Sequence, residues 1–469
     1  MKWDSRLATN KKVFINRTLN LKKIKYIGFD MDHTLVRYNS EAFEALAYQV
    51  MIEKLIKLRD YPADIRSLKF DFTRSIRGLV IDKKRGNVLK LNRFGAIRMS
   101  YHGLNKIHFD EQKQFYRSTY IDLGDSNNYS AIDTSFSTAY AVLYAQLVDF
   151  KDRTNTEKIA SYDAISADLD YCLDGAHRDG SLKDTVRNNL DKFIVKDPEA
   201  VRNLERFRKH DKKLFVLTNS DFHYTKLLLD YAVKPFLKEH KDWTELFELV
   251  ITRAKKPRFF FDSLDFFKVD PKTGLMENHE GPLVPGVYQG GCATSMTTSL
   301  GLAGDDILYI GDHIYHDVLR IKKDCNWRTA LVVEELGDEI QMIRSAAPMD
   351  KQIGEMMNEK QPFEDEYLDL STFQKEGKSV NDKRVHELQE TVNKIDAKIS
   401  PLILKRETIF NSYWGEIMRV GNEESYFARQ IENFACIYMS KLGDFLECSP
   451  RTYFRAHRVQ LPHEDLGIL

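Results

Sequence analysis

Short apolar runs that end at polar residues recur along this chain and predict buried β-strands. Lys25–Phe29 (KYIGF) precedes Asp30, Leu214–Leu217 precedes Thr218, and Ile307–Ile310 precedes the sequence GDHIYHD. The length of these runs and the residues that bound them favour strands over helices. A helical pattern follows each run. Alternating strands and helices of this kind predict an α/β fold built on a doubly wound parallel sheet.

The stretch 61–199 interrupts this alternation and predicts a large inserted α+β domain. Between Arg77 and Met99, the β-like runs LVI, NVLKL and AIRM are separated by the turn-like segments DKKRG and NRFG, which indicates a small antiparallel meander. Helical periodicity returns between Asp133 and Asp197. The α/β core is therefore predicted to comprise 1–60 and 200–357.

The C-terminal part begins with a polar segment at 358–384, which predicts a linker or a mobile surface segment. After it, apolar residues recur at intervals of three and four, the pattern of a helix seam. These residues are Val385, Leu388, Val392, Ile395, Ile399 and Leu402. We predict a helical extension over 385–469 that packs on the core. Packing within the chain is favoured over a coiled coil between subunits, which stays an alternative.

Charge and cysteine content narrow the class of protein. The 469 residues suit two or three cooperating domains, and 70 basic residues balance 70 acidic ones, so nothing predicts binding to nucleic acid or to an anionic membrane. The N-terminus lacks an apolar stretch of signal-peptide length, and no apolar run is long enough to span a bilayer. The cysteines are odd in number and lack metal-type spacing, which favours reduced thiols in the cytoplasm. They are Cys172, Cys292, Cys325, Cys436 and Cys448.

Carboxylates follow two of the predicted strands. Asp30 and Asp32 are separated by one residue, so one can attack a substrate while the other transfers protons. A carboxylate that attacks a phosphate forms an acyl-phosphate and needs its charge, and that of the phosphate, to be neutralised. This requirement predicts a metal ion and a lysine. A pair of aspartates after a strand is weak evidence by itself, because such residues also cap helices.

Residues that meet this requirement are present elsewhere in the chain. Asp312 and Asp317 follow another apolar strand, while Lys256 and Thr218 suit contacts with phosphate oxygens. Mg²⁺ prefers hard oxygen ligands and often binds through one or two carboxylates, phosphate and water. Asp30 and Asp312 are the preferred side-chain ligands.

Four motifs carry a resemblance to a known group of enzymes. The sequences FDMDHT, LTNSD, KKP and IGDHIYHD resemble, in this order, the motifs of the haloacid dehalogenase-like phosphatases. Longer stretches, which extend beyond these motifs, resemble the cytosolic purine 5′-nucleotidase family, which prefers the 5′-monophosphates of inosine and guanosine (IMP and GMP). They include INRTLNLKKIKYIGFDMDHTLVRY, RGLVIDKKRGNVLKL, DGSLKD and RTYFRAHRVQLPHE. The resemblance implies a Rossmann-like core and Mg²⁺ as cofactor. It also implies that the inserted domain, 61–199, is a cap over the active site.

The resemblance also implies roles for the residues in the motifs. Asp30 would be the nucleophile, and Asp32 the general acid and base, with its main-chain carbonyl also binding the metal. Asp312 would be a further metal ligand, and Asp317 would support the metal or orient Lys256. The residues implied to hold the phosphate are Thr218, Asn219, Lys256 and Lys183.

Residues of the cap are implied to bind the nucleoside. Phe136 matches a position that stacks on the base, and the other positions near base and ribose are Asp174, His177 and Ser220. Without the resemblance, Phe136 would be a core aromatic residue and His177 a surface histidine. One departure leaves the base preference open: Asp170 stands where a basic residue is expected, and Arg178 is a candidate to replace it.

The expected function is therefore magnesium-dependent hydrolysis of purine nucleoside 5′-monophosphates through an aspartyl-phosphate, with possible transfer of phosphate to nucleosides. A dehalogenase does not need Asp32. A phosphatase for another metabolite and a non-catalytic nucleotide sensor stay as alternatives. The resemblance also implies a homo-oligomer, either a dimer or a tetramer.

Overall fold

The structure, a computed structural model, describes residues 12–117 and 121–457. The predicted core and the predicted C-terminal extension thus run beyond the described residues, as does the end of the matched stretch RTYFRAHRVQLPHE. The chain forms two compact units, of which one is Glu335–Ile417 and the other contains the parts before and after it.

The first part of the chain supplies the central strand and the cap. Its elements are β1 (Val13–Ile15), β2 (Leu19–Asn20), β3 (Tyr26–Phe29), β4 (Arg37–Tyr38), α1 (Ser40–Arg59), β5 (Leu79–Asp82), β6 (Asn87–Leu91), β7 (Ile97–His102), β8 (Asn105–Lys106), α2 (Phe109–Tyr116), β9 (Tyr129–Ile132), α3 (Thr138–Thr154), α4 (Tyr162–Arg178), α5 (Lys183–Arg187), α6 (Leu190–Phe193) and β10 (Ile194–Val195).

The second part alternates strands and helices. Its elements are α7 (Pro198–Lys209), β11 (Lys213–Leu217), α8 (Phe222–Ala232), α9 (Trp243–Leu246), β12 (Leu249–Thr252), β13 (Phe266–Val269), β14 (Met276–Asn278), β15 (Gly286–Gly290), α10 (Ala293–Leu300), β16 (Ile307–Gly311), α11 (Arg320–Asp324) and β17 (Arg328–Val332). The remaining elements are α12 (Leu336–Lys375), α13 (Asp382–Glu407), β18 (Arg419–Val420), β19 (Glu423–Glu424), α14 (Tyr426–Phe434), β20 (Ile437–Met439), α15 (Leu442–Leu446) and β21 (Tyr453–Phe454).

A ten-stranded sheet forms the core, in the order β1-β20-β17-β16-β3-β11-β12-β15-β13-β14. The strands from β20 to β15 run parallel, while β1, β13 and β14 are antiparallel additions at the edges. Strand β3 is buried along its whole length, and a side chain at Gly28 would overlap the ring of Phe215. The predicted α/β fold with a doubly wound parallel sheet is confirmed.

The cap contains the predicted antiparallel meander. Strands β8-β7-β6-β5-β9 form a five-stranded sheet in which every neighbouring pair is antiparallel. Its buried side packs around Leu89 and Leu91, and helices α3 and α4 follow it in the chain. The predicted change from strands to helices inside the insertion is thus confirmed, while its boundaries at 61 and 199 stay a prediction.

The unit Glu335–Ile417 is a helical hairpin of α12 and α13. The predicted linker at 358–384 is wrong over most of its length, because α12 continues to Lys375. Most of the polar residues of this segment are exposed or only partly buried, whereas Lys360 is buried. The predicted seam of α13 is confirmed, since Leu388, Ile395 and Ile399 are buried.

Within the described residues, the prediction of a helical extension over 385–469 is correct for α13, α14 and α15 but missed the strands that follow α13. After α13 ends at Glu407, the chain also forms the short strands β18 and β19, and β20 joins the main sheet beside β17. Three-residue strands are too short to produce a recognisable alternating pattern. Within the described part of the chain, no helix has both the length and the apolar character needed to cross a membrane.

Candidate active site

The carboxyl ends of three neighbouring strands bring the predicted catalytic residues together. Strand β3 lies between β16 and β11, with Phe29 opposite Ile310 on one side and Val216 on the other. The residues that follow these strands, starting with Asp30, Asp312 and Thr218, therefore lie at one edge of the sheet. Doubly wound sheets bind their ligands at this edge.

Lys256 lies at the centre of this edge and is buried. Its Nζ is 2.9 Å from Asp30 Oδ2 and 2.7 Å from Asp317 Oδ1. Nζ also donates to the hydroxyl of Tyr309 at 3.1 Å, and that hydroxyl donates to the carbonyl of Leu217. Burial opposes a charge on Lys256, but Asp30 and Asp317 outweigh it and raise the pKa of the ammonium group. Lys256 is thus a fixed positive charge beside Asp30.

Three carboxylates surround a point suited to a cation. Each of Asp30, Asp312 and Asp317 offers an oxygen, and the three oxygens lie within 4.8 Å of one another. Burial raises the pKa of Asp30 despite Lys256, and it raises the pKa of Asp312 to about 6. Ionised carboxylates at this place need further positive charge nearby.

Asp312 provides a direct test of whether a metal ion fits. Its Oδ2 is buried and has no hydrogen-bond partner among residues 12–117 and 121–457. A buried carboxylate oxygen without a partner carries a desolvation cost that a cation would offset. Hard oxygen donors of this kind suit Mg²⁺. The side chains present therefore fit the predicted metal.

Asp317 belongs to the same cluster but is held by the protein. Besides Lys256, it accepts a hydrogen bond from the main-chain N–H of His313 at 3.3 Å. A side chain at Gly311 would overlap the Asp317 carboxylate, so glycine is needed where β16 ends. A π-helical turn, Ile314–Leu319, carries Asp317 back toward Asp312. Lys256 outweighs burial and lowers the pKa of Asp317.

Asp32 lies outside this group of three carboxylates and has other partners. Its Oδ1 accepts a hydrogen bond from the Tyr38 hydroxyl at 2.6 Å, and its Oδ2 accepts one from Ser220 Oγ at 2.9 Å. Ser220, which the sequence analysis assigned to base or ribose binding, thus contacts the predicted acid and base in this structure. Any contact of Asp32 with a metal would involve its main-chain carbonyl, as predicted.

The two other predicted phosphate-binding residues of the core lie beside Lys256. Thr218 is buried after β11, and its Oγ1 accepts a hydrogen bond from the N–H of Ser220 at 3.1 Å. The Asn219 side chain accepts from the N–H of Lys256 at 2.6 Å and donates to the carbonyl of the same residue at 3.1 Å. Asn219 therefore fixes the backbone that carries Lys256.

Phe136 lies in an aromatic group next to the carboxylates. Its ring centroid is 4.4 Å from that of His33, 5.3 Å from that of Phe43 and 5.9 Å from that of His177, each with a steep angle between the rings. Burial and the nearby Lys183 lower the pKa of His177. The structure thus brings two of the predicted nucleoside-binding residues, Phe136 and His177, together.

The remaining predicted cap residues have other partners. Lys183 Nζ is 3.0 Å from Asp221 Oδ2, at the N-terminus of α8. Asp174 is exposed and forms an ion pair with Arg178 at 2.9 Å. Burial raises the pKa of Asp170, which interacts with Tyr140 and Lys83. Arg178 is thus held beside Asp174, and its role as a substitute for the missing basic residue stays a prediction.

Several residues of the site were not identified from the sequence. The Arg77 guanidinium, which belongs to the cap, donates to the main-chain carbonyl of Asp312 at 2.9 Å. Glu334 follows β17. Its Oε2 accepts a hydrogen bond from Ser40 Oγ at 2.5 Å and lies 3.9 Å from Nδ1 of His33. Glu334 could have been identified from the sequence, because it is a carboxylate that follows the apolar run of β17. For Arg77, no local pattern pointed to the site.

Comparisons with known proteins are consistent with this arrangement. The model of the 5′ nucleotidase family matches residues 13–466. A 5′-nucleotidase domain-containing protein from Dictyostelium discoideum is 26% identical over 460 residues, which cover 96% of this chain and 74% of that protein. The 5′-nucleotidase domain-containing protein 2 of Rattus norvegicus is 27% identical over 467 residues, covering 96% and 80%.

Solved structures with some similarity include two phosphatases. A HAD phosphatase from Thermococcus onnurineus is 16% identical with a TM-score of 0.27, covering 66% of this chain and 87% of that one. A predicted phosphoglycolate phosphatase from Haemophilus somnus is 14% identical with a TM-score of 0.26, covering 66% and 86%. TM-scores this low do not establish a shared fold, whereas the family model spans nearly all of this chain. This protein therefore belongs to the 5′ nucleotidase family and is a phosphoric monoester hydrolase.

Proposed function

We propose that this protein hydrolyses purine nucleoside 5′-monophosphates, IMP and GMP, with Asp30 as nucleophile and Mg²⁺ as cofactor. The observation that carries the proposal is the meeting of Asp30, the buried ammonium of Lys256 and Asp312 at one edge of the sheet, where Asp312 Oδ2 has no hydrogen-bond partner within the described part of the chain. A nucleophilic carboxylate needs such positive charge before it can approach a phosphate dianion.

In the first step, a carboxylate oxygen of Asp30 attacks the phosphorus atom. A bond forms between this oxygen and phosphorus, and the bond between phosphorus and the ribose 5′-oxygen breaks. Asp32 gives its proton to the departing oxygen, so the nucleoside leaves as a neutral alcohol. Lys256 balances the charge of the phosphoryl group on Asp30.

In the second step, the aspartyl-phosphate is hydrolysed. Asp32, now ionised, takes a proton from water while the water oxygen bonds to phosphorus and the bond to Asp30 breaks. Phosphate leaves and both aspartates return to their initial states. The same residue thus acts as acid and then as base, which requires it to stay in one position through both steps.

The metal would be held by the carboxylates of Asp30 and Asp312 and by the main-chain carbonyl of Asp32. When bound, Mg²⁺ supplies charge neutralisation between the attacking carboxylate and the phosphate oxygens. Asp317 acts through its ion pair with Lys256, at 2.7 Å, and keeps that ammonium directed at the reaction centre. Such outer residues often fix the geometry of the groups that react.

Binding of the nucleotide would involve both core and cap. Thr218, Asn219 and Lys256 hold the phosphate from the core, and Lys183 approaches it from the cap after leaving Asp221. Phe136 stacks on the base, with His177, Asp174 and Ser220 near base and ribose. Support for the stacking role comes from the aromatic group around Phe136 beside Asp32 and its partner Tyr38.

A panel of nucleotides tests this assignment. Phosphate release is measured with Mg²⁺ and the 5′-monophosphates of inosine, guanosine, adenosine, uridine and cytidine. We expect wild type to prefer IMP and GMP, and Phe136→Ala to lower kcat/KM for purine nucleotides by about tenfold, because base stacking on an aromatic ring is worth about 1–3 kcal/mol. Pyrimidine nucleotides should lose less.

The matched control for this variant is Phe94→Ala, which removes an exposed phenylalanine from the same cap. Its selectivity should equal that of wild type. Equal losses for all bases in Phe136→Ala would contradict the stacking role, and a wild type that ignores nucleotides but releases phosphate from another metabolite would favour the alternative phosphatase.

The covalent intermediate also implies transfer of phosphate to a nucleoside. An acceptor nucleoside in the leaving-group position has a 5′-hydroxyl that Asp32 can deprotonate, so it can replace water in the second step. With GMP as donor and labelled inosine as acceptor, labelled IMP should appear on chromatography. Loss of donor without labelled IMP would mean that water alone reaches the intermediate.

The resemblance to the cytosolic purine 5′-nucleotidases also supports a homodimer or homotetramer in the cytoplasm. Within the described residues all five cysteines are unpaired, which is consistent with a reducing compartment. A molar mass from light scattering would distinguish monomer, dimer and tetramer directly.

A further inference from the structure

Both oxygens of the Asp32 carboxylate are held by buried hydroxyl groups. Tyr38 donates to Oδ1 at 2.6 Å and Ser220 Oγ donates to Oδ2 at 2.9 Å. The side chain of Tyr38 is 2% exposed. With both oxygens engaged, the carboxylate cannot turn about its own axis without losing a hydrogen bond that the buried hydroxyl has no water to replace.

A second tyrosine continues this chain of hydroxyl groups. The hydroxyl oxygens of Tyr38 and Tyr224 are 3.0 Å apart, and Tyr224 is also buried. A phenol has one proton, and Tyr38 gives it to Asp32. Tyr224 is therefore the donor to Tyr38, and each bond polarises the next.

The ring of Tyr38 is fixed by its surroundings. It stacks on His33 with centroids 4.7 Å apart and meets the edge of Phe43 at 5.3 Å. Phe136, the residue assigned to base stacking, lies 6.3 Å away. The hydroxyl is thus carried by a ring with little freedom to move. Its position is set by the same aromatic group that is proposed to receive the base.

We infer that Tyr38 is a positioning residue for proton transfer, which holds the Asp32 carboxylate in the orientation needed for both chemical steps, with Tyr224 supporting it. This inference rests on the proposed role of Asp32 as acid and base. Tyr38 contacts neither the phosphate nor the reacting oxygen in this scheme. It acts through Asp32, and its loss should affect turnover rather than binding.

The first test compares phenylalanine variants with GMP or IMP as substrate. Tyr38→Phe keeps the ring and removes only the hydroxyl, and we expect kcat to fall by about 10- to 100-fold, as is typical when a residue that orients an essential group is lost. KM should stay within about twofold, since no substrate contact is removed. Tyr224→Phe should lower kcat by a smaller factor.

The matched control is Tyr61→Phe, which also removes a buried hydroxyl. The Tyr61 hydroxyl donates to Asp168 at 3.1 Å, away from the carboxylates. This variant should keep the kcat of wild type. A fall in kcat as large as that of Tyr38→Phe would show that losing any buried hydroxyl is sufficient, and would overturn the inference.

A second test uses the double variant Asp32→Asn with Tyr38→Phe. If Tyr38 acts through Asp32, its substitution should change kcat by less than about twofold once Asp32 has been replaced, because residues that work as one unit are not additive. Tyr224→Phe gives an independent version of the same comparison. An undiminished loss of kcat in the Asp32→Asn background would refute the positioning role. Normal turnover by Asp32→Asn alone would instead refute the proposed role of Asp32.

Discussion

Replacing Asp30 with asparagine is expected to abolish turnover of nucleoside 5′-monophosphates, lowering kcat by about 10⁴-fold or more, as losses of catalytic nucleophiles do. An amide is a poor nucleophile and cannot form the aspartyl-phosphate. The fold should persist because Lys256 keeps its ion pair with Asp317 at 2.7 Å. Removing one of three clustered carboxylates also relieves repulsion among them. Phosphate release and thermal unfolding are the measurements.

Asp305→Asn provides the control for this exchange. Asp305 is largely exposed and forms an ion pair with Arg328. Asp305 lies just before β16 and Arg328 is the first residue of β17, so both lie at the ends of these strands opposite to the site. The control should keep the wild-type kcat. Retained activity in Asp30→Asn, or its loss together with the folded state, would contradict the assignment of Asp30 as nucleophile.

Removal of divalent cations should also stop the reaction. Asp30 and the substrate phosphate are both anionic, and Lys256 is shared with Asp317, so one lysine cannot neutralise the whole centre. In excess chelator we expect kcat/KM to fall to background and to recover when Mg²⁺ is added. Asp312→Asn should raise the Mg²⁺ concentration needed for half-maximal activity by about tenfold or more.

Thermal unfolding provides a readout that does not depend on activity. A ligand that binds the folded state stabilises it, so Mg²⁺ should raise the unfolding temperature of wild type. The shift should be smaller in Asp312→Asn and unchanged in Asp305→Asn. Full activity in chelator after all bound metal has been removed would exclude the proposed cofactor.

The edge of the sheet that carries the proposed active site could be predicted because local patterns are sufficient to define it. Strands β3, β11 and β16 are short, buried on both faces and followed at once by polar residues, so hydrophobic pattern and motif coincide. Parallel pairing then places the residues after them side by side. Nothing beyond strand order was needed to bring Asp30 and Asp312 together.

The residues that surround this edge were harder to predict. Tyr38 and Tyr309 were not identified, because a buried aromatic ring is usual in a core and only the structure shows that their hydroxyl groups contact Asp32 and Lys256. Arg77 reaches Asp312 from the cap across a separation of 235 residues. Such contacts depend on how cap and core pack, and no spacing in the sequence encodes this.

The hairpin of α12 and α13 illustrates a different limit. Charged residues between 358 and 384 resemble a linker when considered by composition alone. Only one narrow seam of each helix faces the other, so most positions are polar even though the helix is continuous. Lys360 lies in the seam and is compensated by Asp396 of the facing helix at 2.8 Å. A buried lysine weakened the apolar pattern at this point.

The central claim is that a phosphoryl group is transferred to Asp30. The most direct test mixes the enzyme with Mg²⁺ and GMP, quenches the reaction in acid within milliseconds, reduces the protein with borohydride and determines peptide masses. Borohydride converts an aspartyl-phosphate to homoserine. We therefore expect this conversion at residue 30 of the wild type and no conversion in Asp30→Asn. Conversion at another carboxylate, or GMP turnover with Asp30 unmodified throughout, would contradict it.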